Sequence, residues 1–292
     1  MLITEYLGSS LIAFTITALI LGLMVGSFLN VVIFRLPVML KHDWKNQCED
    51  FLEIEATSAS TDKFNLSMPS SHCPQCQHKI RWWENIPLIS YLLLRGRCSN
   101  CQAHISLRYP IIELFTGCIT AFVAWHFGYG LPALAAMFLA WVLITLSMID
   151  FDTKLLPDSI VLPTLWAGIL LNINGTFTSL ESSVIGAAAG YMSLWSIYQV
   201  HHLLTGREGM GFGDFKLLAL LGAWLGWQSL LMILLLSSLV GAAVGISLIL
   251  FLGRDRQIPI PFGPYLAAAG WISLIWGDQL IQIYLDVSGL QI

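Results

Sequence analysis

Charged residues are scarce in this sequence. Of its 292 residues only 11% are charged and 56% are hydrophobic, whereas an average soluble domain is about 25% charged. This composition excludes an ordinary soluble globular protein and predicts an all-α polytopic membrane protein. The net charge of -4 is small and spread along the chain, so no nucleic-acid partner is expected.

Several familiar catalytic motifs are also missing. The sequence has no G-x-S-x-G turn to carry a serine nucleophile, and its seven histidines form no H-E-x-x-H pair. These absences exclude the common serine hydrolases and zinc peptidases. An enzyme built on this chain therefore needs another acid, base or nucleophile.

Apolar runs are plentiful and predict about eight transmembrane helices. The fourth and sixth runs are shorter than the ~20 residues that a full crossing needs. The eight runs are 11–34, 111–127, 133–149, 160–173, 184–204, 215–227, 229–252 and 265–285.

One polar block interrupts this pattern and divides the chain into three predicted regions. They are a first transmembrane helix (1–37), a soluble loop domain (38–109) and a transmembrane core (110–292). The first apolar run has no preceding Lys or Arg and no A-x-A-like cleavage site, which favours an anchor over a cleaved signal. With the amino terminus outside, eight crossings place all fourteen Lys and Arg residues on the cytoplasmic side.

An acid stands at the head of the sixth apolar run, in the stretch "GMGFGDFKLL" (209–218). Ionisable residues at membrane depth are expensive, so Asp214 is a functional candidate. Two crossings separate it from Asp150, which predicts that both acids emerge at the same membrane face. Two adjacent carboxylates share one proton and can serve as the acid and base of peptide hydrolysis. The simpler alternative is that Asp214 only caps a helix that begins at Phe215.

Four cysteines in the polar block predict a metal site. Cys73 and Cys76 form one C-x-x-C pair, and Cys98 and Cys101 form a second after a 21-residue interval. Four thiolates would complete a tetrahedral zinc shell, so the zinc is expected to be structural. The alternatives are four unused thiols or a redox pair. Because disulfides are disfavoured in a reducing cytoplasm, zinc is preferred.

Four further features carry weaker expectations. Glu113 is placed in the first turn of its helix, where the dipole favours a negative charge, and it could grip a substrate amino group. Lys216 could stabilise negative charge at the acid pair, or its ammonium group could extend to the membrane interface. Asp158 is expected in a turn or at an N-cap. Glycine pairs such as 186–190 and 222–226 predict close helix contacts.

The stretches "IDFDTKLLPD" and "GMGFGDFKLL" together resemble the type IV prepilin leader peptidases of bacteria. The resemblance extends to "GSFLNVVIFRLP", "CPQC", "CSNC", "RYPIIE" and "IPFGPYLA", and so covers nearly the whole chain. Carried over residue by residue, it identifies Asp150 and Asp214 as the catalytic pair.

The resemblance implies a bifunctional enzyme of the bacterial inner membrane. Its active site and zinc domain would face the cytoplasm, where it cuts the basic leader from type IV prepilins and type II secretion pseudopilins. It would then methylate the new amino terminus, usually phenylalanine, with S-adenosylmethionine. No strand followed by G-x-G-x-x-G and a helix is present, so the methyl-donor site has no predicted location.

Two rival functions stay open at this point. One is a presenilin-like intramembrane aspartyl protease, which shares a G-x-G-D element but would hold its acids nearer the middle of the bilayer. The other is a non-enzymatic membrane protein whose two acids carry protons or cations.

Overall fold

The computed structural model describes residues 2–53, 64–206, 209–252 and 260–289. Within these ranges the regular structure is helical apart from two isolated β-bridges, which confirms the all-α class. The chain forms two compact units, Met1–Met137 and Phe138–Ile292. The predicted division at residues 37 and 109 stays a prediction.

Unit 1 holds the first helices and the cysteine region, which is residues 64–107. A 3₁₀ turn (Trp82–Asn85) precedes the third helix, and the fifth helix continues into unit 2. The helices are α1 (Leu2–Ser9), α2 (Leu11–Phe51), α3 (Ile89–Leu93), α4 (Arg108–Phe127) and α5 (Leu131–Thr153).

Helix α2 is longer than the apolar run that predicted it. That run ends at Phe34, but the helix continues through Pro37 to Phe51, for 41 residues in all. A proline inside a helix removes one backbone hydrogen bond without necessarily ending the helix. At 1.5 Å per residue α2 is about 60 Å long, roughly twice the thickness of a bilayer core.

Small residues bring α2 and α4 together. A Cβ added to Gly26 would lie 2.8 Å from the Cα atom of Glu113, and one added to Gly22 would lie 2.6 Å from the hydroxyl of Thr120. The hydroxyls of Thr116 and Thr120 donate to carbonyls one turn earlier, so both are satisfied within α4. This is the close packing expected of membrane helices.

Unit 2 is arranged around one central short helix. Residues 217–224 of α8 are all buried, and α8 packs against α6, α7 and α10. The helices are α6 (Asp158–Leu171), α7 (Leu180–Thr205), α8 (Phe212–Leu225), α9 (Gln228–Leu252) and α10 (Gly263–Ser288).

Each predicted apolar run overlaps one of these helices. Among the described residues, however, only α2, α4, α5 and α9 are long and apolar enough to cross a membrane by themselves. The structure therefore supports a membrane protein, while the count of eight crossings stays a prediction. The predicted orientation also uses Arg207, Arg254 and Arg256, which lie outside the described residues.

The two short runs form the 14-residue helices α6 and α8, each about 21 Å long. A helix that ends in apolar surroundings must satisfy its last carbonyls within the protein. The Asn172 amide donates to the carbonyls of Ala223 at 3.0 Å and Trp224 at 3.1 Å, and the Ser183 hydroxyl also donates to Ala223. The end of α8 is thus capped by side chains.

Glycines bring α7 and α8 into backbone contact, as predicted for these positions. A Cβ on Gly186 would collide with the carbonyl of Gly222, and one on Gly190 would lie 2.7 Å from the carbonyl of Leu218. Gly226 plays a different part, since it ends α8 with φ +84°.

We expect Gly222→Ala to lower the free energy of unfolding by about 1–3 kcal/mol, because the new methyl group overpacks the contact with Gly186. Gly277→Ala in α10 is the matched control, since its Cβ would meet only Ser273, at 4.0 Å. Thermal unfolding of the two purified variants in one detergent makes the comparison. Equal stability of the two would contradict this account of the α7–α8 contact.

Candidate functional site

Asp150 lies near the end of α5 and is 5% exposed. Its Oδ2 atom accepts a hydrogen bond of 2.9 Å from the backbone N–H of Gly263, the first residue of α10. The free N–H groups at a helix amino terminus, together with the helix dipole, favour a negative charge at this point. The carboxylate of Asp150 is thereby held in a fixed place.

The position of Gly263 requires glycine. A Cβ there would lie 2.7 Å from Oδ2 and 3.1 Å from Cγ of Asp150. Any side chain would therefore displace the carboxylate that the N–H group binds. The stretch "IPFGPYLA" carries this residue, but the residues alone do not indicate that its glycine faces an acid.

Asp214 is in the first turn of α8, and the prediction that it caps the helix is wrong. The helix begins at Phe212, because Gly211 adopts the extended cap conformation and its carbonyl accepts from the Asp214 N–H at 3.2 Å. The side chain of Asp214 is 7% exposed. Its Oδ1 atom is buried and has no hydrogen-bond partner among the described residues.

The two carboxylates lie close enough for the charge of Asp150 to act on Asp214. The end of α5 and the starts of α8 and α10 therefore meet in one buried place within unit 2. Gly213 allows the loop after α5 to approach, since a Cβ there would lie 2.8 Å from the Cβ of Leu156. An arrangement of this kind can share a proton between two acids.

Lys216 does not bind the acid pair. Its ammonium group contacts both carboxylate oxygens of Asp158, at 2.8 and 2.7 Å. Asp158 is the first residue of α6, with Pro157 in the cap position, so the expectation of an N-cap is wrong. This ion pair ties the loop that follows Asp150 to the helix that carries Asp214.

The four predicted cysteines come together in unit 1. Their sulfur atoms all lie within 4.8 Å of one another, with 3.7 Å between Cys73 and Cys101 and 4.0 Å between Cys76 and Cys98. Tetrahedral bonds of about 2.3 Å to a central zinc ion place sulfurs about 3.8 Å apart. The cluster therefore has the donor set and spacing for a tetrahedral metal ion.

The cluster is built from two copies of one turn, a repeat that the cysteine spacing alone does not predict. The Cys73 N–H donates to the His78 carbonyl, and the Gln77 N–H to the Cys73 carbonyl, both at 2.9 Å. The second turn repeats this pattern from Cys98, at 2.8 and 3.1 Å. Gln77 and Gln102 each have a positive φ, +57° and +59°. The shared signal is C-x-x-C-Q.

The turns also prepare two of the four sulfurs as ligands. The backbone N–H of His78, and next the side chain of Asn100, lower the pKa of the Cys76 thiol to about 6. Backbone N–H groups of Cys101 and Asn100 lower the pKa of Cys98 as well. A metal binds the thiolate form, so these contacts favour metal binding.

Two buried charged residues attach the cysteine region to the helices of unit 1. The Arg35 guanidinium donates to the carbonyls of Asn65, Leu66 and Pro69, at 3.0, 3.4 and 2.6 Å. Glu113 accepts from the Leu88 N–H at 2.9 Å. Since α4 begins at Arg108, Glu113 is in its second turn, not in the first as predicted.

The fold and the site define an α-helical membrane protein with a buried aspartate pair. Residues 20–127 match the family model of the bacterial peptidase A24 N-terminal domain, and residues 137–246 match that of the type IV leader peptidase family. The chain belongs to the type IV leader peptidase family. The boundary between the two matches falls where the structure divides into units.

Curated relatives match the chain along almost its whole length. The prepilin leader peptidase/N-methyltransferase of Stutzerimonas stutzeri is 55% identical and covers 98% of this chain and 99% of its own. The protein of that name from Pseudomonas aeruginosa is 51% identical with the same coverage. The one from Neisseria gonorrhoeae is 48% identical over 90% of this chain and 91% of its own. No solved structure matches the chain.

Proposed function

We propose that this protein is a prepilin leader peptidase and N-methyltransferase that uses Asp150 and Asp214 as its hydrolytic acids. The observation that carries the peptidase assignment is the pair of buried, interacting carboxylates in unit 2. Membership of the family and the names of relatives at 51–55% identity support both activities. Its substrates are then prepilins and pseudopilins.

Hydrolysis by this pair needs neither a covalent nucleophile nor a metal ion. One carboxylate takes a proton from the attacking water, while the other, protonated, gives a proton to the amide nitrogen that leaves. The Gly263 N–H holds the Asp150 carboxylate in place. Among the described residues the buried Oδ1 of Asp214 has no hydrogen-bond partner, which leaves its lone pairs for a water molecule or substrate that enters the site.

The location follows from the same assignment. In the part of the chain that the structure describes, four helices of membrane-crossing length support a multi-pass membrane protein. We propose the bacterial inner membrane, with both the acid pair and the cysteine cluster on the cytoplasmic side, because this orientation keeps the basic residues inside. The prepilin would present its cleavage site at that membrane face. S-adenosylmethionine is the proposed methyl donor.

Asp150→Asn and Asp214→Asn should each lower the rate of prepilin cleavage by about 10²–10⁴-fold, because each removes one of the two proton-transfer groups. Cleavage is measured by the gel shift of a purified prepilin with enzyme in nanodiscs. Asp152→Asn, at an exposed position one half-turn further along α5, is the matched control and should cleave at nearly the normal rate.

The methyltransferase activity of the same two variants shows whether they are folded. Methylation of an already mature pilin should persist in Asp150→Asn and Asp214→Asn, because hydrolysis alone uses these acids. Normal cleavage by either variant would refute the role proposed for that aspartate.

We propose that the cysteine cluster holds a structural zinc ion. The four sulfurs fill a tetrahedral shell, so no open position is left for substrate. A bound ion would hold together a region in which the sulfur cluster links two otherwise separate turns.

Purified protein should contain about one zinc ion per chain, and Cys98→Ser should lose it because three ligands bind far more weakly than four. Zinc is measured by elemental mass spectrometry after gel filtration. Cys118→Ser, at an exposed cysteine of α4, is the control and should keep the ion. A zinc-free wild-type protein, or zinc retained in Cys98→Ser, would contradict the site.

Lys216 and Asp158 are proposed as positioning residues for the acid pair, since their ion pair joins the segments that follow Asp150 and Asp214. Lys216→Met should lower kcat by about 10–100-fold with little change in KM, because small displacements of reacting groups are costly. The charge-exchanged variant Lys216→Asp with Asp158→Lys should recover part of that loss. Strictly additive losses would show that the pair is not coupled.

A further inference from the structure

The segment from Trp82 to Leu93 exposes large apolar side chains on the surface of unit 1. Trp82 is 77% exposed, Leu92 is 73% exposed and Leu93 is 79% exposed, and Trp83 and Ile89 are also exposed. The 3₁₀ turn with the two tryptophans packs against α3, so these side chains belong to neighbouring elements. Apolar patches of this kind mark a surface that meets a membrane or a partner.

A hydrogen bond fixes the height of this segment along α4. The N–H of Leu88, just before α3, donates to Glu113 Oε2 at 2.9 Å. Glu113 is itself fixed, since it is 9% exposed and its backbone packs against Gly26 of α2. Any position of α4 in a membrane therefore also sets the position of α3.

The length of α4 places Glu113 just inside the membrane boundary. The helix has 20 residues and is about 30 Å long, which matches the hydrocarbon core with nothing to spare. Glu113 lies about 7–8 Å from the start of α4, within the depth of about 5–10 Å that the apolar faces of interfacial helices reach. The segment that it holds, with α3, is therefore level with the outer acyl region, just below the headgroups.

The charges around the segment fit an anionic surface. Exposed basic residues precede it at Lys79 and Arg81 and follow it at Arg95 and Arg97. Between residues 79 and 97 the only acid in the sequence is Glu84, whose carboxylate is occupied by the Arg81 N–H at 2.9 Å. Basic groups beside exposed apolar side chains are typical of segments that bind anionic lipid.

The aromatic residues also fit this position. Trp82 and Trp83 contact each other edge to face at 5.4 Å, and the Arg81 guanidinium lies 5.3 Å from the centre of the Trp83 ring. Tryptophan prefers the headgroup level of a membrane, where the ring meets lipid and its N–H meets water.

We propose that residues 82–93 form an interfacial anchor that inserts into the anionic lipid leaflet at the start of α4. The two tryptophans and the exposed face of α3 enter the upper acyl region, while Lys79, Arg81, Arg95 and Arg97 bind lipid phosphates. The anchor holds the cysteine cluster beside the membrane surface. This inference depends on the membrane position of α4 and not on the proposed catalytic residues.

A photo-crosslinking experiment tests the anchor. Leu92 is replaced by a diazirine-bearing leucine analogue in the full-length protein, which is placed in nanodiscs of phosphatidylcholine with phosphatidylglycerol and illuminated. Mass spectrometry should find lipid adducts at position 92. The control position is Gln75, exposed on the first cysteine turn, where lipid adducts should be at least about tenfold fewer, because the label reacts with what it touches.

Two results would overturn the proposal. One is a label at Leu92 that reacts only with water. The other is a label that reacts with an added prepilin and not with lipid, which would make the surface a substrate-docking site.

A second arm tests the charges. Lipid adducts at position 92 should fall several-fold when phosphatidylglycerol is omitted, because the basic residues lose their partners. Arg95→Gln combined with Arg97→Gln should remove this dependence on lipid charge. Zinc content and prepilin cleavage verify that the variant is folded. The protein that keeps Arg95 and Arg97 could also give equal adduct yields with and without phosphatidylglycerol. That result would contradict a role for anionic lipid.

Discussion

The burial of a short helix, α8, constrains the rest of unit 2. Because α8 is too short to cross a bilayer, its buried carboxyl end lies where no solvent satisfies its backbone groups. The structure meets this requirement with Asn172 and Ser183, and the carbonyl of Gly211 accepts the Asp214 N–H at the amino end. Those contacts place the first turn of α8, and Asp214 with it, in a buried position close to the charge of Asp150.

The two acids have different surroundings, although the sequence does not distinguish their roles. Asp150 accepts a backbone hydrogen bond from the start of α10, whereas the buried Oδ1 of Asp214 has no such partner among the described residues. Like charges close together in a dry place favour one proton shared by the pair. The unequal hydrogen bonding gives the proton two inequivalent positions, as acid and base roles require.

Local sequence patterns predicted the helices and the sulfur cluster of this protein, but they did not predict its long-range contacts. Apolar runs located every helix of membrane character, and the C-x-x-C spacing located the sulfur cluster, because hydropathy and ligand spacing are short-range signals. The starts of α4 and α8 were misplaced by three residues, since caps formed by Leu107 and Gly211 leave little trace in composition. The Lys216–Asp158 and Gly263–Asp150 contacts span 58 and 113 residues, and a single sequence carries no signal for such pairs.

The donor to Asp150 is a main-chain N–H group, and this has a consequence for how the site changes over evolution. No ordinary side-chain replacement at position 263 can delete a backbone donor; only proline lacks it. What replacement can do is fill the space in front of the donor, because even a methyl group would meet the carboxylate. Replacement at position 263 therefore harms this site by filling space and not by removing the donor, so glycine is the residue that the geometry allows there.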